Sequence, residues 1–309
     1  MSYQNKILKG IYHPLKFANS IGQILGLVPS NTLRVLNYHD IPKEELGHFA
    51  DQIRWLTKKY RFVTPSQFED MMVGNKPIIG HNLLLTFDDG FLSNRDVAEK
   101  VLNPMNISAL FFIISDFVEI NNPELSRTFN SKNIHYNIET GNIPENWLNM
   151  GLKDIEALLE QGHTIGAHTM KHTQLSLIRS ELELKKEISE SADKLSIHLG
   201  VPINHFAYPF GNIDSFSQEA LAIAKQRFRF IYSGLRGDNV KNASCFTIRR
   251  DAAAFQNSTN NCYEVFSNQL LGSFLEGAAD FHYSASRKKL DKWDMNTNYF
   301  KVDKSNIKI

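Results

Sequence analysis

Seven short runs rich in apolar and β-branched residues punctuate the chain, at 33–39, 83–87, 109–114, 164–168, 205–208, 228–232 and 246–249. Most are separated by segments whose apolar positions recur with helical period: 45–60, 93–102, 152–161, 180–199 and 217–227. In "LKKEISESADKLSIHLG", for instance, Leu184, Ile188, Leu195 and Leu199 fall on or near one face, and Gly200 supplies a C-terminal stop. Strands alternating with helices predict βα units and a parallel sheet. Seven such units suit an α/β barrel, whether complete or incomplete, better than an open sheet. Two regions depart from the pattern. Residues 116–150 read as a long polar insertion rich in Asn, and loops of that length are usually functional or mobile. The C-terminal stretch "SASRKKLDKWDMNTNYFKVDKSNIKI" reads as a solvated tail with Trp293 and Tyr299 as anchors.

The domain plan that follows is an N-terminal helical extension at 1–32, a catalytic barrel at 33–255 carrying the insertion 116–150, and a C-terminal helix and tail at 256–309. After Pro14, the residues Leu15, Ala18, Ile21 and Leu25 recur at helical spacing. Such a stripe either docks on the domain or lies on a membrane surface. Lys9, His13, Pro14 and Lys16 interrupt the apolar run and no small-residue cleavage site follows, so a secretory leader is not expected. No stretch approaches the ~18 uncharged apolar residues of a membrane span. A cytoplasmic location is therefore expected, with peripheral membrane contact through the N-terminal helix as the open variant.

Composition narrows the partners. At 42% hydrophobic and 22% charged, the 309 residues resemble an ordinary globular protein. Lys plus Arg (34) nearly balances Asp plus Glu (33), a net charge of +1 that gives no general pull toward nucleic acid. Cys245 and Cys262 stand in no metal or redox spacing and make no disulfide framework.

The chemistry begins at "LLLTFDDG", where an apolar strand runs into Asp88, Asp89 and Gly90. Neighbouring strand residues point to opposite faces, and two adjacent carboxylates raise one another's pKa unless a cation sits nearby. On its own the stretch also fits an Asp-Asp-Gly turn. The second signal is "HTIGAHTMKHTQLS", in which His168 and His172 stand four apart behind a strand-like run. Two imidazoles at that spacing converge if the turn after the strand is helical; the bland alternative is two surface histidines on a turn. In a parallel barrel all strand C-termini open on one face, where catalytic residues collect. A His₂Asp set leaves coordination positions open on Zn²⁺, a catalytic rather than structural arrangement.

Taken in order, these motifs resemble those of the polysaccharide deacetylases, carbohydrate esterase family 4. "TFDDG" is similar to that family's first motif, "HTMKH" to its second and "FAYPFG" to its third, and the resemblance covers roughly 34–251. It implies a distorted (β/α) barrel of deacetylase type. It also implies a general base at Asp88 and one divalent metal ion, Zn²⁺ with Co²⁺ or Ni²⁺ as alternatives, held by Asp89, His168 and His172. One acid then faces the metal while the other stays ionised beside it as the base. The backbone N–H of Phe210 would stabilise the oxyanion, and Tyr208 with Pro209 would line the substrate site.

The chain departs from the family pattern twice. The acid histidine usually stands late in the chain, but only His282 follows residue 205. "VLNYHDI" instead ends the first strand on His39, similar to a rearranged branch that includes poly-N-acetylglucosamine deacetylases, so His39 is expected as the general acid. The usual Arg of the third motif, which braces the catalytic Asp, is also missing, since the region reads Ala207-Tyr208. "TIRRDA" offers Arg249 and Arg250 on opposite faces; Arg250, nearer the strand end, is taken as the brace.

The activity expected is metal-dependent removal of an N-acetyl or related N-acyl group from an amino sugar that is nucleotide-linked, lipid-linked or part of a polysaccharide. The alternatives are an O-acetyl esterase, a deformylase acting on a lipid-linked sugar, and a non-catalytic sugar-binding relative.

Overall fold

A strand covered on both sides is apolar at nearly every position. The first strand of the computed structural model, β1 (Thr32–Tyr38), shows this with all seven residues buried. The structure describes residues 30–240, 244–256 and 263–297. After β1 come α1 (Leu46–Thr57), β2 (Arg61–Phe62), α2 (Pro65–Met72), β3 (His81–Phe87), α3 (Leu92–Val97) and β4 (Leu110–Ile113). The middle of the chain forms α4 (Pro123–Asn133), α5 (Leu152–Glu160), β5 (Thr164–Ala167), α6 (Glu181–Lys185), α7 (Ser191–Leu199) and β6 (His205–Ala207). The last part forms α8 (Gln218–Arg227), β7 (Phe230–Tyr232), β8 (Asp251–Ala252), a β9–β10 hairpin (Ala254–Gln256 and Tyr263–Val265), α9 (Asn268–Leu275) and α10 (Ser284–Asn296).

Seven parallel strands in the order β7-β6-β5-β4-β3-β1-β8 make a curled half-barrel, and β2 pairs with the start of β3. Period two divides their side chains into two layers. Leu33, Val35, Leu84, Leu110, Phe112, Ala207, Phe230 and Tyr232 fill the interior. Leu36, Tyr38, Leu85, Phe87, Phe111, Ile165, Phe206 and Ile231 pack outward in the cluster that also takes in the helices. Gly166 belongs to the inner layer because a Cβ there would meet the Phe112 ring at 2.6 Å.

Two predicted strands change. The run 228–232 starts as a strand only at Phe230, because the Phe228 N–H still closes α8 on the Ala224 carbonyl at 2.8 Å. The run 246–249 is not a strand: Ile248 makes a single parallel bridge to Tyr232, and pairing with β1 begins at Asp251. Between them, the Arg249 N–H is taken by the Asn239 side chain at 2.9 Å and the Arg250 N–H by the Leu235 carbonyl at 3.2 Å. The backbone is thus satisfied by a neighbouring loop rather than by a ladder, and residues 248–252 link β7 to β1.

The insertion is ordered. Asn122 caps α4, with Pro123 at its first position. Ile134, Ile138, Ile143 and Trp147 bury themselves with Phe91, Ile114 and Phe117 in a separate apolar cluster. The tail expected at the C-terminus is instead helical as far as Asn296. Lys225 Nζ lies 2.7 Å from Asp294 Oδ1 with both side chains nearly buried, and Trp293 packs its edge on Phe216. Tyr299 and the N-terminal helix lie outside the described residues. Among the described residues no helix is long and apolar enough to cross a membrane.

Candidate active site

Because the strands are parallel, the residues that follow them gather at one end of the barrel. Asp88 continues the inward parity of Leu84 and Thr86, and its N–H extends the ladder to the Tyr38 carbonyl at 3.0 Å. Its carboxylate is 2% exposed and held on both oxygens. Arg250 Nη1 donates to Oδ1 at 2.7 Å, and Asn37 Nδ2 donates to Oδ2 at 3.1 Å. Arg250 also donates to the Ser233 carbonyl at 3.0 Å and to Asn37 Oδ1 at 3.2 Å, with its guanidinium 5.2 Å over Phe112. Arg249 faces the other way, toward the Asp238 carbonyl and Asp291. Burial pushes the Asp88 pKa up, but nearby positive charge, Arg250 foremost, outweighs it and holds the carboxyl below its usual range.

Asp89 escapes simple alternation through its backbone. Its φ is 75°, and Gly90 follows at 81°, so the chain turns left-handed and brings the second carboxylate to the same end. Asp89 Oδ1 lies 3.5 Å from His168 Nε2 and 3.4 Å from His172 Nε2. His168 and His172 do not converge through a helical turn, as their spacing suggested. Thr169 (φ 67°) and His172 (φ 64°) are both left-handed, and the His172 N–H donates to Thr169 Oγ1 at 2.9 Å. Five non-glycine residues among those described have positive φ, and four of them (Asp89, Thr169, His172 and Phe210) stand here. Such backbone costs about 1–3 kcal/mol per residue and persists only where the surroundings over-determine it.

Three buried ligand atoms, from Asp89, His168 and His172, lie within 4.8 Å of one another. Asp89 Oδ1 has no hydrogen-bond partner although buried. His168 Nδ1 faces the Ala207 carbonyl at 2.8 Å and His172 Nδ1 the Asn133 carbonyl at 3.1 Å. A carbonyl only accepts, so both Nδ1 atoms carry the proton and both Nε2 atoms keep a lone pair toward Asp89. Burial pushes His172 down to about 4, against the pull of Asp89, which keeps it neutral. Ligand atoms on a tetrahedral Zn²⁺ are about 3.4 Å apart given bonds of about 2.1 Å, close to the separations seen here. The donor set fits a divalent cation.

His39 follows β1 with Nε2 3.9 Å from Asp88 Oδ2, and its side chain is 30% exposed. Asp40 points away, taking hydrogen bonds from Asn146 (2.6 Å) and Trp147 Nε1 (2.8 Å) of the insertion. The insertion therefore borders the site on two sides, at Asp40 and, through Asn133, at His172. His282 sits two residues from Asp280, which pairs with Arg34 near the start of β1, away from this end. Phe210 has φ 61°, an exposed side chain and a ring 4.8 Å from that of His172. Gly211 follows because its backbone lies against Gly234, where a Cβ would meet the Gly234 nitrogen at 2.6 Å.

Tyr208 does not line the site. It falls on the outward parity of β6, 1% exposed, with its ring stacked on Phe216 at 3.9 Å. Pro209 is buried, its carbonyl accepting from the Gly211 N–H at 2.7 Å. Asn37 escaped the sequence reading, although its inward parity after Leu33 and Val35 marked a polar side chain inside the barrel. The Asn133 carbonyl carries no side-chain signal at all.

A parallel half-barrel with a buried His₂Asp cluster and a second, arginine-braced carboxylate at its C-terminal end is the make-up of a metallohydrolase. Residues 76–227 match the family model described as polysaccharide deacetylase. Solved structures agree in fold. IcaB from Ammonifex degensii is 23% identical with a TM-score of 0.59, the match covering 81% of this chain and 97% of that one. The Streptococcus pyogenes deacetylase PplD, solved in complex with acetate, is 18% identical with a TM-score of 0.59, over 80% and 99% of the two chains. A de-N-acetylase from Aggregatibacter actinomycetemcomitans is 18% identical with a TM-score of 0.56, over 71% and 94%. No curated protein matches the sequence.

Proposed function

We propose that the chain hydrolyses the N-acetyl group of an amino sugar, with a divalent cation held by Asp89, His168 and His172. The observation that carries this reading is the unpartnered Asp89 Oδ1 facing two imidazoles beside a second carboxylate braced separately by Arg250. The deacetylase family match and the likeness to a de-N-acetylase support an acetyl amide as the bond cleaved. A cation on these ligands would supply Lewis-acid activation of water and of the amide carbonyl.

The chain's own groups do the rest. Asp88 Oδ1 is committed to Arg250, so Oδ2, turned toward His39 and His168, is the atom that takes the proton from the attacking water. His39 Nε2 delivers a proton to the departing amine nitrogen. The N–H of Phe210 donates to the carbonyl oxygen as negative charge develops on it. The insertion, packed beside His39 and His172, sets which sugar enters.

The test is acetate release from N-acetylglucosamine oligomers by the Zn²⁺-loaded protein, with and without a chelator. His39→Gln is expected to slow amide cleavage by roughly 10²–10⁴-fold. Hydrolysis of an activated acetyl ester, whose leaving group needs no proton, should change far less. Equal loss on both substrates would remove His39 from the acid role.

A further inference from the structure

The helical segment leading to α7 carries an irregularity that the catalytic reading leaves unused. Between α6 and α7, residues Lys186–Glu190 form a π-type turn, one residue wider than the α-helix on either side. Such bulges are frequent at functional sites. The buried acidic side chain of this turn is Glu187, 9% exposed. Its Oε2 accepts from the backbone N–H of Met170 and of Lys171, both at 3.1 Å. Its backbone carbonyl accepts from the Met170 N–H as well, at 3.0 Å. Met170 and Lys171 are the residues between Thr169 and His172, the two left-handed positions of the turn that carries both imidazoles.

That turn needs an external support. No helix or strand ladder satisfies its inner N–H groups, and left-handed Thr and His are each energetically uphill. Thr169 Oγ1 takes the His172 N–H, and Glu187 takes the two that precede it. A buried carboxylate accepting two backbone N–H groups makes strong, charge-assisted bonds. Resting on the metal reading above, we propose that Glu187 is a positioning residue for the metal centre. Its carboxylate holds the Thr169–His172 turn so that both Nε2 atoms face Asp89. Glu187 acts through the segment that places the ligands, holding the Met170 and Lys171 N–H groups and the Thr173 side chain that follows His172.

The experiment is Zn²⁺ affinity, measured by competition with a chromophoric chelator, in wild type, Glu187→Ala, Glu187→Gln, Glu187→Asp and Leu195→Ala. Leu195 lies in the core on α7 away from the turn and controls for loss of stability alone. Glu187→Ala should weaken binding about 10–100-fold, the range seen when a group supporting a metal ligand is lost. Glu187→Gln, whose amide oxygen still accepts, should recover most of the loss. Leu195→Ala should bind as wild type does even though it melts lower. If Glu187→Ala does not fold, Glu187→Asp, one methylene short of both N–H groups, should show the weakening. Wild-type affinity in the folded Ala or Asp variant, or equal weakening in Leu195→Ala, overturns the proposal. A wild-type protein that binds no Zn²⁺ fails differently, removing the metal reading and this proposal with it.

Discussion

Asp88→Asn is expected to keep its metal and lose turnover by roughly 10²–10⁴-fold, the usual contribution of a general base. Neither oxygen of Asp88 belongs to the three-ligand cluster, so the cation's protein ligands are unchanged. The amide cannot take a proton from water at neutral pH. It also sets an NH₂ group against one of the two donors that now serve the carboxylate, Arg250 Nη1 and Asn37 Nδ2. Some loss of stability should therefore accompany the loss of rate, since Arg250 keeps its charge in a buried position without an anionic partner. Acetate release and metal content, measured on the same preparation, check the prediction. A variant that loses its metal would exchange the roles of the two acids.

Arg250→Met should destabilise the protein by about 3–5 kcal/mol near neutral pH, the cost of breaking a buried pair from one side. Methionine can occupy the place over Phe112, so packing loss is limited and the effect is electrostatic. The pH dependence separates this account from a simple packing defect. In the wild type, the Asp88 pKa is depressed by Arg250 against burial. Its contribution to stability is present above the unfolded carboxylate value and is lost as pH falls through the lower folded value. Without Arg250, burial pushes the folded pKa up, so the ionised carboxylate opposes folding and stability falls as pH rises through that value. Chemical denaturation at pH 4 and pH 7 should show a smaller deficit at pH 4. An equal deficit at both would mean that Arg250 serves packing alone.

What could be read from the sequence is what period and strand ends determine. Apolar runs bounded by Gly and polar residues located β1 and β3–β7; alternation put Arg249 and Arg250 on opposite faces, and nearness to the strand end selected Arg250, which does reach Asp88 while Arg249 turns away. The same parity placed Tyr208 outward and Asn37 inward, and there the sequence reading followed the motif rather than the period. Other features have no local pattern. The apolar residues of the insertion are spread over α4 and short turns, with no constant spacing from Ile134 to Trp147, so a packed cluster looked like a polar loop. The left-handed backbone at Thr169 and His172 runs against the preferences of those residues and is fixed by Glu187 from a distant segment. The failure of 246–249 to form a strand depends on Asn239 competing for its backbone.

The most direct measurement of the central claim is an anomalous difference map from crystals of the protein grown with Zn²⁺. The account predicts one strong peak among Asp89 Oδ1, His168 Nε2 and His172 Nε2, at bonding distances of about 2.0–2.2 Å, with Asp88 still on Arg250 and outside the coordination sphere. A peak ligated by Asp88 in place of Asp89, or no peak among these residues in protein that releases acetate, would contradict it.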